Sequence, residues 1–235
     1  MRYDVDSDHT IADLVLEPFG PWPGVLEMNV LIVFAHPRLE SYGAALADQY
    51  QAGAVAAGAT VRRINVAEME FDALADPRSL RGQEEADVLA AQESLTWADH
   101  IVFVYPTWWG TYPPLLQGFI DRVFAPGIAY DFTQNPESDL PAKLLKGRTG
   151  SLVVTMDSPT WWHRWIYGDP SRKALARAVF WYTGIKCVGE HVAERIRHLS
   201  DTQRENTLHR MFQTAHDEIH RLRPRLRRPS LPARG

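Results

Sequence analysis

Apolar residues along this chain alternate between short continuous runs and longer stretches with a helical period. Asn29–Phe34, Thr60–Val66, Ile101–Val104, Ser151–Thr155 and Ile185–Val192 read as strands. Runs that are apolar on every position mark parallel strands covered on both faces. Between them, helices are predicted over Ser41–Ala57, closed by a glycine at Gly58, and over Glu84–Trp97, Ser171–Tyr182 and Thr202–Leu222. A further helix opens at Pro113 and Pro114, whose missing N–H groups suit a first turn, and carries Leu115, Leu116, Phe119, Ile120, Val123 and Phe124 at helical spacing. Strict alternation of strand and helix predicts an α/β protein: a five-stranded parallel sheet, order 2-1-3-4-5, with helices on both faces. Residues 67–83 are polar and irregular, and residues 125–149 form a long connection broken by Pro126, Gly127, Pro136, Pro141 and Gly147. Connections that long in compact domains usually carry function or move.

The alternation divides the chain into an irregular extension (1–27), one domain (28–222) and a basic tail (223–235). In the extension Asp4, Asp6, Asp8, Asp13, Glu17 and Glu27 outweigh Arg2, and Pro18, Gly20, Pro21, Pro23 and Gly24 break any regular element. Two readings of it stand: Met28 is the true start, or residues 1–27 are an arm anchored on a partner subunit by Phe19 and Trp22. The tail is arginine-rich without an acid and reads as a solvated end rather than a lipid or nucleic-acid site.

Length 235, 45% apolar and 23% charged residues describe one soluble globular domain. The net charge of −4 carries no nucleic-acid signature. No apolar stretch is long enough to be a transmembrane segment, and the N-terminus lacks the pattern of a secretory signal. Cys187 is the single cysteine, so no intramolecular disulfide forms and a cytoplasmic location is expected. It reads as a small buried hydrophobe rather than a nucleophile. No metal site is predicted: the histidines are scattered, only His216 and His220 have helical ligand spacing, and no Glu or Cys completes a set.

Two segments leave strand ends, where open α/β sheets bind ligands. Tyr105-Pro106-Thr107-Trp108-Trp109-Gly110 sets two large flat rings beside a glycine backbone, which suits a planar aromatic ligand. Ala35-His36-Pro37-Arg38-Leu39-Glu40-Ser41-Tyr42 precedes a helix whose free N–H groups and positive dipole end suit a phosphate. His36 can donate to that phosphate, and Ser41 can both cap the helix and touch it.

Pro106, the Trp108-Trp109 pair, Pro113 and Arg122-Val123-Phe124 together resemble the NAD(P)H:quinone reductase family, which is flavodoxin-like in fold. The resemblance runs from about Met28 to the last helix. It implies bound FAD, with FMN as the fallback, and two-electron reduction of quinones or similar acceptors by NADPH or NADH in a ping-pong hydride mechanism. It also implies a homodimer. His36 and Ser41 match the family's pattern for the flavin pyrophosphate, and Tyr42 takes a position usually aromatic or polar. Glu40 stands where the family often has a neutral residue, so its side chain must point outward. Thr107, Trp108, Trp109 and Gly110 align with the residues that lie along the flavin ring.

After the fourth strand the family commonly has Thr-Thr-Gly-Gly, whereas this chain has Thr155-Met156-Asp157-Ser158 and resembles a bacterial branch with Thr-Met-Asp-Thr-Pro-x-Trp. Thr155 and Asp157 stay cofactor candidates, provided the carboxylate turns away from the electron-rich ring or bonds a ribityl hydroxyl. Relatives take a Tyr and a His from the next segment to neutralise reduced flavin and orient the quinone. Here the polar groups are His163, Arg164 and Tyr167, with His163 the first choice because histidine changes charge near neutral pH. Relatives also close the substrate pocket with a tyrosine matching Tyr130, often from the partner subunit, and some have a second at Phe132. The catalytic candidates are therefore Tyr130, His163 and Tyr167. The alternative is a non-catalytic flavin-binding regulator or electron carrier. That role needs an acidic docking face and no substrate pocket, and the aromatic loop and the 125–149 connection argue against it.

Overall fold

The computed structural model describes residues 28–75, 85–134 and 137–223. The extension 1–27, the tail beyond Arg223 and Glu84, the expected start of the second helix, lie outside the described residues. In chain order the elements are β1 (Met28–Phe34), α1 (Tyr42–Ala56), β2 (Ala59–Asn65), α2 (Ala86–Trp97), β3 (His100–Pro106), α3 (Pro114–Val123), β4 (Tyr130–Asp131), β5 (Ala142–Lys143) and β6 (Thr149–Thr155). They continue with α4 (Thr160–Trp165), α5 (Pro170–Lys173), a π-helical stretch (Ala174–Phe180), α6 (Trp181–Thr183), β7 (Lys186–Ala193) and α7 (Asp201–Leu222).

The main sheet has five strands in the order β2-β1-β3-β6-β7, every neighbouring pair parallel. With β6 and β7 as the fourth and fifth strands, this is the order expected from the alternation. Three short elements were not expected. β4 and β5 pair antiparallel inside the 125–149 connection. α4 forms directly after β6, where contiguous tryptophans gave no helical period.

Strand geometry sends successive side chains to opposite faces. Val30, Ile32 and Phe34 of β1, with Val102 and Val104 of β3, meet Leu46, Tyr50 and Ala54 of α1 and Ala215 and Ile219 of α7. Leu31 and Val33, with Ile101, Phe103 and Tyr105, meet Val88 and Leu95 of α2, Leu116 and Phe119 of α3, and Phe180. Burying each such side chain contributes roughly 1.5–3 kcal/mol. α1 and α7 pack so closely that a Cβ on Gly53 would stand 2.3 Å from the carbonyl oxygen of Phe212. Backbone cannot yield as a flexible side chain can. Gly53→Ala is therefore expected to destabilise the protein by about 1–3 kcal/mol in chemical denaturation, despite alanine's better helix propensity.

The end of the sheet where the strands begin holds a buried polar cluster. Glu218 of α7, 2% exposed, accepts hydrogen bonds from Tyr50 at 3.0 Å and from Ser151. His191 Nε2 lies 2.8 Å from one of its oxygens and His100 Nε2 3.1 Å from the other. His100 Nδ1 contacts Thr149 Oγ1 at 2.8 Å. Burial pushes the Glu218 carboxyl up, but bonds from His100, His191 and Ser151 outweigh it and hold the group well below the usual carboxylate range. No described helix is long and apolar enough to cross a membrane.

Candidate active site

Strand order reverses between β1 and β3, and a crevice opens outside the carboxyl ends of strands at such a point. A cavity of about 410 Å³ lies there. Its walls come from the loops after β1, β3, β6 and β7. Backbone bonds extend the sheet into those loops and fix them: Thr107 N–H donates to Thr155 O at 2.7 Å, Met156 N–H to Ala193 O at 3.0 Å, and Ile196 N–H to Met156 O at 3.2 Å.

The first wall is the N-terminus of α1. Ser41 is its N-cap, and Ser41 Oγ accepts from Ala44 N–H at 3.3 Å. The first turn of α1 has no acidic side chain, so nothing in it competes for the dipole's positive end. His36 Nδ1 accepts the Arg38 backbone N–H at 2.9 Å. Burial, then the Arg38 charge, push the imidazole's proton affinity down. The ring's one proton is thereby assigned to Nε2, leaving a neutral donor in the cavity wall. Glu40 is exposed and lines the cavity rim. Tyr42 donates its hydroxyl to Arg204 O at 3.0 Å, and the Arg204 guanidinium lies 5.3 Å from the Tyr42 ring centre, tying α1 to α7.

The second wall follows β3. Pro106, Thr107 and Trp108 line the cavity. Thr107 Oγ1 is buried and has no hydrogen-bond partner among the described residues. Trp108 and Thr111 exchange backbone hydrogen bonds at 2.8 and 2.9 Å, closing a two-residue turn over Trp109 and Gly110. Both turn residues have positive φ, 51° and 81°, the pattern of a tight hairpin turn. Gly110 accommodates this freely, but Trp109 does not, and the strain costs of order 1–3 kcal/mol. Trp109 is fully exposed and lies outside the cavity lining, while Trp108 is half-buried at the rim. Trp109→Gly is expected to raise the unfolding free energy by about 1 kcal/mol, read from urea denaturation.

Thr155, Met156 and Asp157 form the third wall. Asp157 is ion-paired with Arg197. That pairing matches its charge within the cavity wall, since Arg197 lines the same cavity. Ile196, Arg197 and Arg204 also line the cavity and were absent from the sequence-based set. Their signal was position alone: they follow β7, beyond a strand's carboxyl end.

The catalytic candidates lie elsewhere. Tyr130 lines a larger hollow of about 760 Å³ with Leu74, Tyr112, Phe124, Val179 and Tyr182. Its ring meets Tyr182 edge-on at 5.3 Å and Phe132 at 5.9 Å. His163, on α4, is 1% exposed and lines neither hollow. Tyr167 is exposed, its ring edge-on to His163 at 5.8 Å. A Cβ placed on Gly110 would stand 3.6 Å from Tyr167 Cδ2, so Tyr167 covers the turn. Among the described residues no group of three or more His, Cys, Asp or Glu is placed to hold a metal ion.

A family model described as flavodoxin-like fold matches residues 28–219. An uncharacterized NAD(P)H oxidoreductase of Haemophilus influenzae is 30% identical over 184 residues, which cover 76% of this chain and 89% of that protein. The ribosyldihydronicotinamide dehydrogenase [quinone] of Pongo abelii is 27% identical over 148 residues, 54% of this chain and 62% of that one. Among solved structures, Smu.1420 of Streptococcus mutans superposes with a TM-score of 0.69 at 27% identity, over 81% of this chain and all of that one (100%). The sheet order, the crevice at its switch point and these likenesses agree, and the chain belongs to the family of flavodoxin-like NAD(P)H oxidoreductases.

Proposed function

We propose that this protein binds a flavin in the 410 Å³ cavity and uses it to pass two electrons from NADPH or NADH to quinones or similar acceptors. One observation carries the reading. The N-terminus of α1, a neutral imidazole donor at His36 and Thr107 line one crevice. A helix N-terminus and an imidazole donor side by side suit the oxygens of a phosphate.

The residues fit the cofactor's chemistry. The N-terminus of α1, with His36 and Ser41, would hold phosphate oxygens; FAD is the first choice and FMN the second. Thr107, Trp108 and the turn through Trp109 and Gly110 would lie along the ring, and Thr155 with Asp157 and Arg197 would meet its ribityl side. A bound flavin supplies the hydride-accepting and hydride-donating centre. The protein's part is to fix the donors before reaction, so that charge is stabilised without reorganisation. Trp108 supplies a flat wall on one side of the cavity. NAD(P)H and acceptor use one site in turn, a ping-pong order. Tyr130 and Tyr167 act on the acceptor side, and the buried His163 acts there through Tyr167.

A homodimer is part of this proposal. Trp161, Trp165 and Phe132 are exposed by 60%, 77% and 49%, more large aromatic surface than a monomer commonly leaves in water. Sedimentation equilibrium with about twice the 26.7 kDa chain mass is the expected result. A cytoplasmic location accords with the lone Cys187. Chromatography of the cofactor released by heat separates FAD from FMN. Initial rates with NADPH and menadione varied together should give parallel double-reciprocal lines. Intersecting lines would exclude the ping-pong order. Bound flavin without any NAD(P)H turnover would favour the carrier or regulator instead.

A further inference from the structure

Asp169 opens α5 in the left-handed region, with φ 57°, yet its carboxylate does not cap the helix. The side chain is turned to other work. Its Oδ2 accepts from Arg172 Nε at 2.7 Å and also from the terminal guanidinium nitrogen. Its Oδ1 lies 3.2 Å from His163 Nδ1, within ion-pair distance though not aligned as a hydrogen bond. Asp169 N–H donates to the carbonyl of His163 at 3.1 Å, so both the backbone and the ring of His163 are referred to this one residue. Both side chains are more than nine-tenths buried.

Further buried polar atoms gather around the pair. His163 Nε2, Tyr105 Oη and Ser171 Oγ are buried without a hydrogen bond among the described residues. Arg172 also reaches Glu190 of β7 at 3.6 Å, which holds the clamp from the sheet side. The groups facing the pair are thus Arg172 and Ser171 from α5, Tyr105 from β3 and Glu190 from β7. A contact chain runs from Arg172 through Asp169 and His163 to Tyr167, and from Tyr167 to Gly110.

We propose that Asp169 is a positioning residue: it fixes the proton of His163 on Nδ1 and, through that ring, holds Tyr167 against the Gly110 turn. A carboxylate beside one imidazole nitrogen selects the tautomer with its proton on that nitrogen. A tilt of the His163 ring aligns Nδ1–H with Oδ1 and leaves Nε2 as the nitrogen that faces away. Arg172 occupies the other oxygen of Asp169, so only one orientation is open. The inference rests on the reading of Tyr167 and His163 as acceptor-side residues.

Asp169→Asn tests it, because asparagine tolerates a left-handed backbone and keeps the shape. Long-range proton–nitrogen spectra of flavin-free protein report the His163 tautomer directly. The parent should show the proton on Nδ1, and D169N should lose that preference. In the loaded enzyme D169N should raise the KM for menadione by roughly tenfold and leave the KM for NADPH within about twofold. Arg172→Gln, which frees the clamp without touching His163, should shift the tautomer in the same direction and also covers the case where D169N does not fold. A His163 signature unchanged in both variants overturns the inference. A parent protein that binds flavin but is never reduced by NAD(P)H overturns the acceptor-side reading instead, and the tautomer spectra still decide whether Asp169 controls His163.

Discussion

Glu218→Ala is expected to lower the free energy of unfolding by about 3–5 kcal/mol, the usual loss when one partner of a buried charged cluster is removed. The carboxylate receives Tyr50, Ser151, His100 and His191 at once. Ser151 is fully buried, so truncation strips its hydroxyl of this acceptor, and the fully buried His100 is left with only Tyr50 and Thr149. The cluster also joins α1, β3, β6, β7 and α7, so all those elements feel the loss. Its pH dependence has a fixed sign. The folded carboxyl is held below its ordinary value of 4.5. Its stabilisation is therefore complete above about pH 4.5 and is lost as pH falls toward the folded value. Urea denaturation of the parent from pH 3 to 7 should show that acid limb, and Glu218→Gln should flatten it. A loss below about 1 kcal/mol in the alanine variant would mean that the histidines find other partners.

Ser41→Asp is expected to separate folding from cofactor binding. Aspartate is as good an N-cap as serine, so α1 and the melting temperature should be preserved. The new carboxylate, however, stands where the proposed phosphate would sit. Two like charges about 4 Å apart repel by about 4 kcal/mol at an effective dielectric of 20, which is roughly a thousandfold in Kd. Flavin fluorescence quenching should report that weakening for both FAD and FMN. Ser41→Ala provides the contrast: it should cost about 1 kcal/mol of stability through the lost cap and weaken flavin binding far less. Equal flavin affinity in Ser41→Asp and the parent would remove the phosphate from this helix end.

The sheet was legible because buried parallel strands have no polar face to disguise them. Ile101–Val104 could hardly be anything else, yet β3 itself begins at His100 and runs to Pro106. Of the three added residues, His100 is polar, and it is buried only because Glu218 and Thr149 receive it, a long-range fact. α4 was hidden for a different reason. Trp161 and Trp162 are adjacent, so they cannot share one helix face, and the segment is fixed by tertiary contacts such as the Thr160 N–H bond to Glu194. β4 and β5 are two residues each, too short for any alternation to register. At the cavity, His36, Ser41 and Thr107 could be named from strand-end position and residue chemistry. Arg197 could not, since its place depends on how the loop after β7 folds back to Asp157. The Trp pair divides in a way no pattern announces: Trp108 lines the cavity, and Trp109 is turned out by a positive φ.

The central claim is that this crevice carries a flavin reducible by a nicotinamide and oxidisable by a quinone. The most direct test is the absorbance spectrum of the purified protein under anaerobic conditions, first with NADPH and then with menadione. The account predicts a flavin band that bleaches on NADPH addition and returns rapidly with menadione. Absence of flavin, with none taken up from added FAD or FMN, would contradict it.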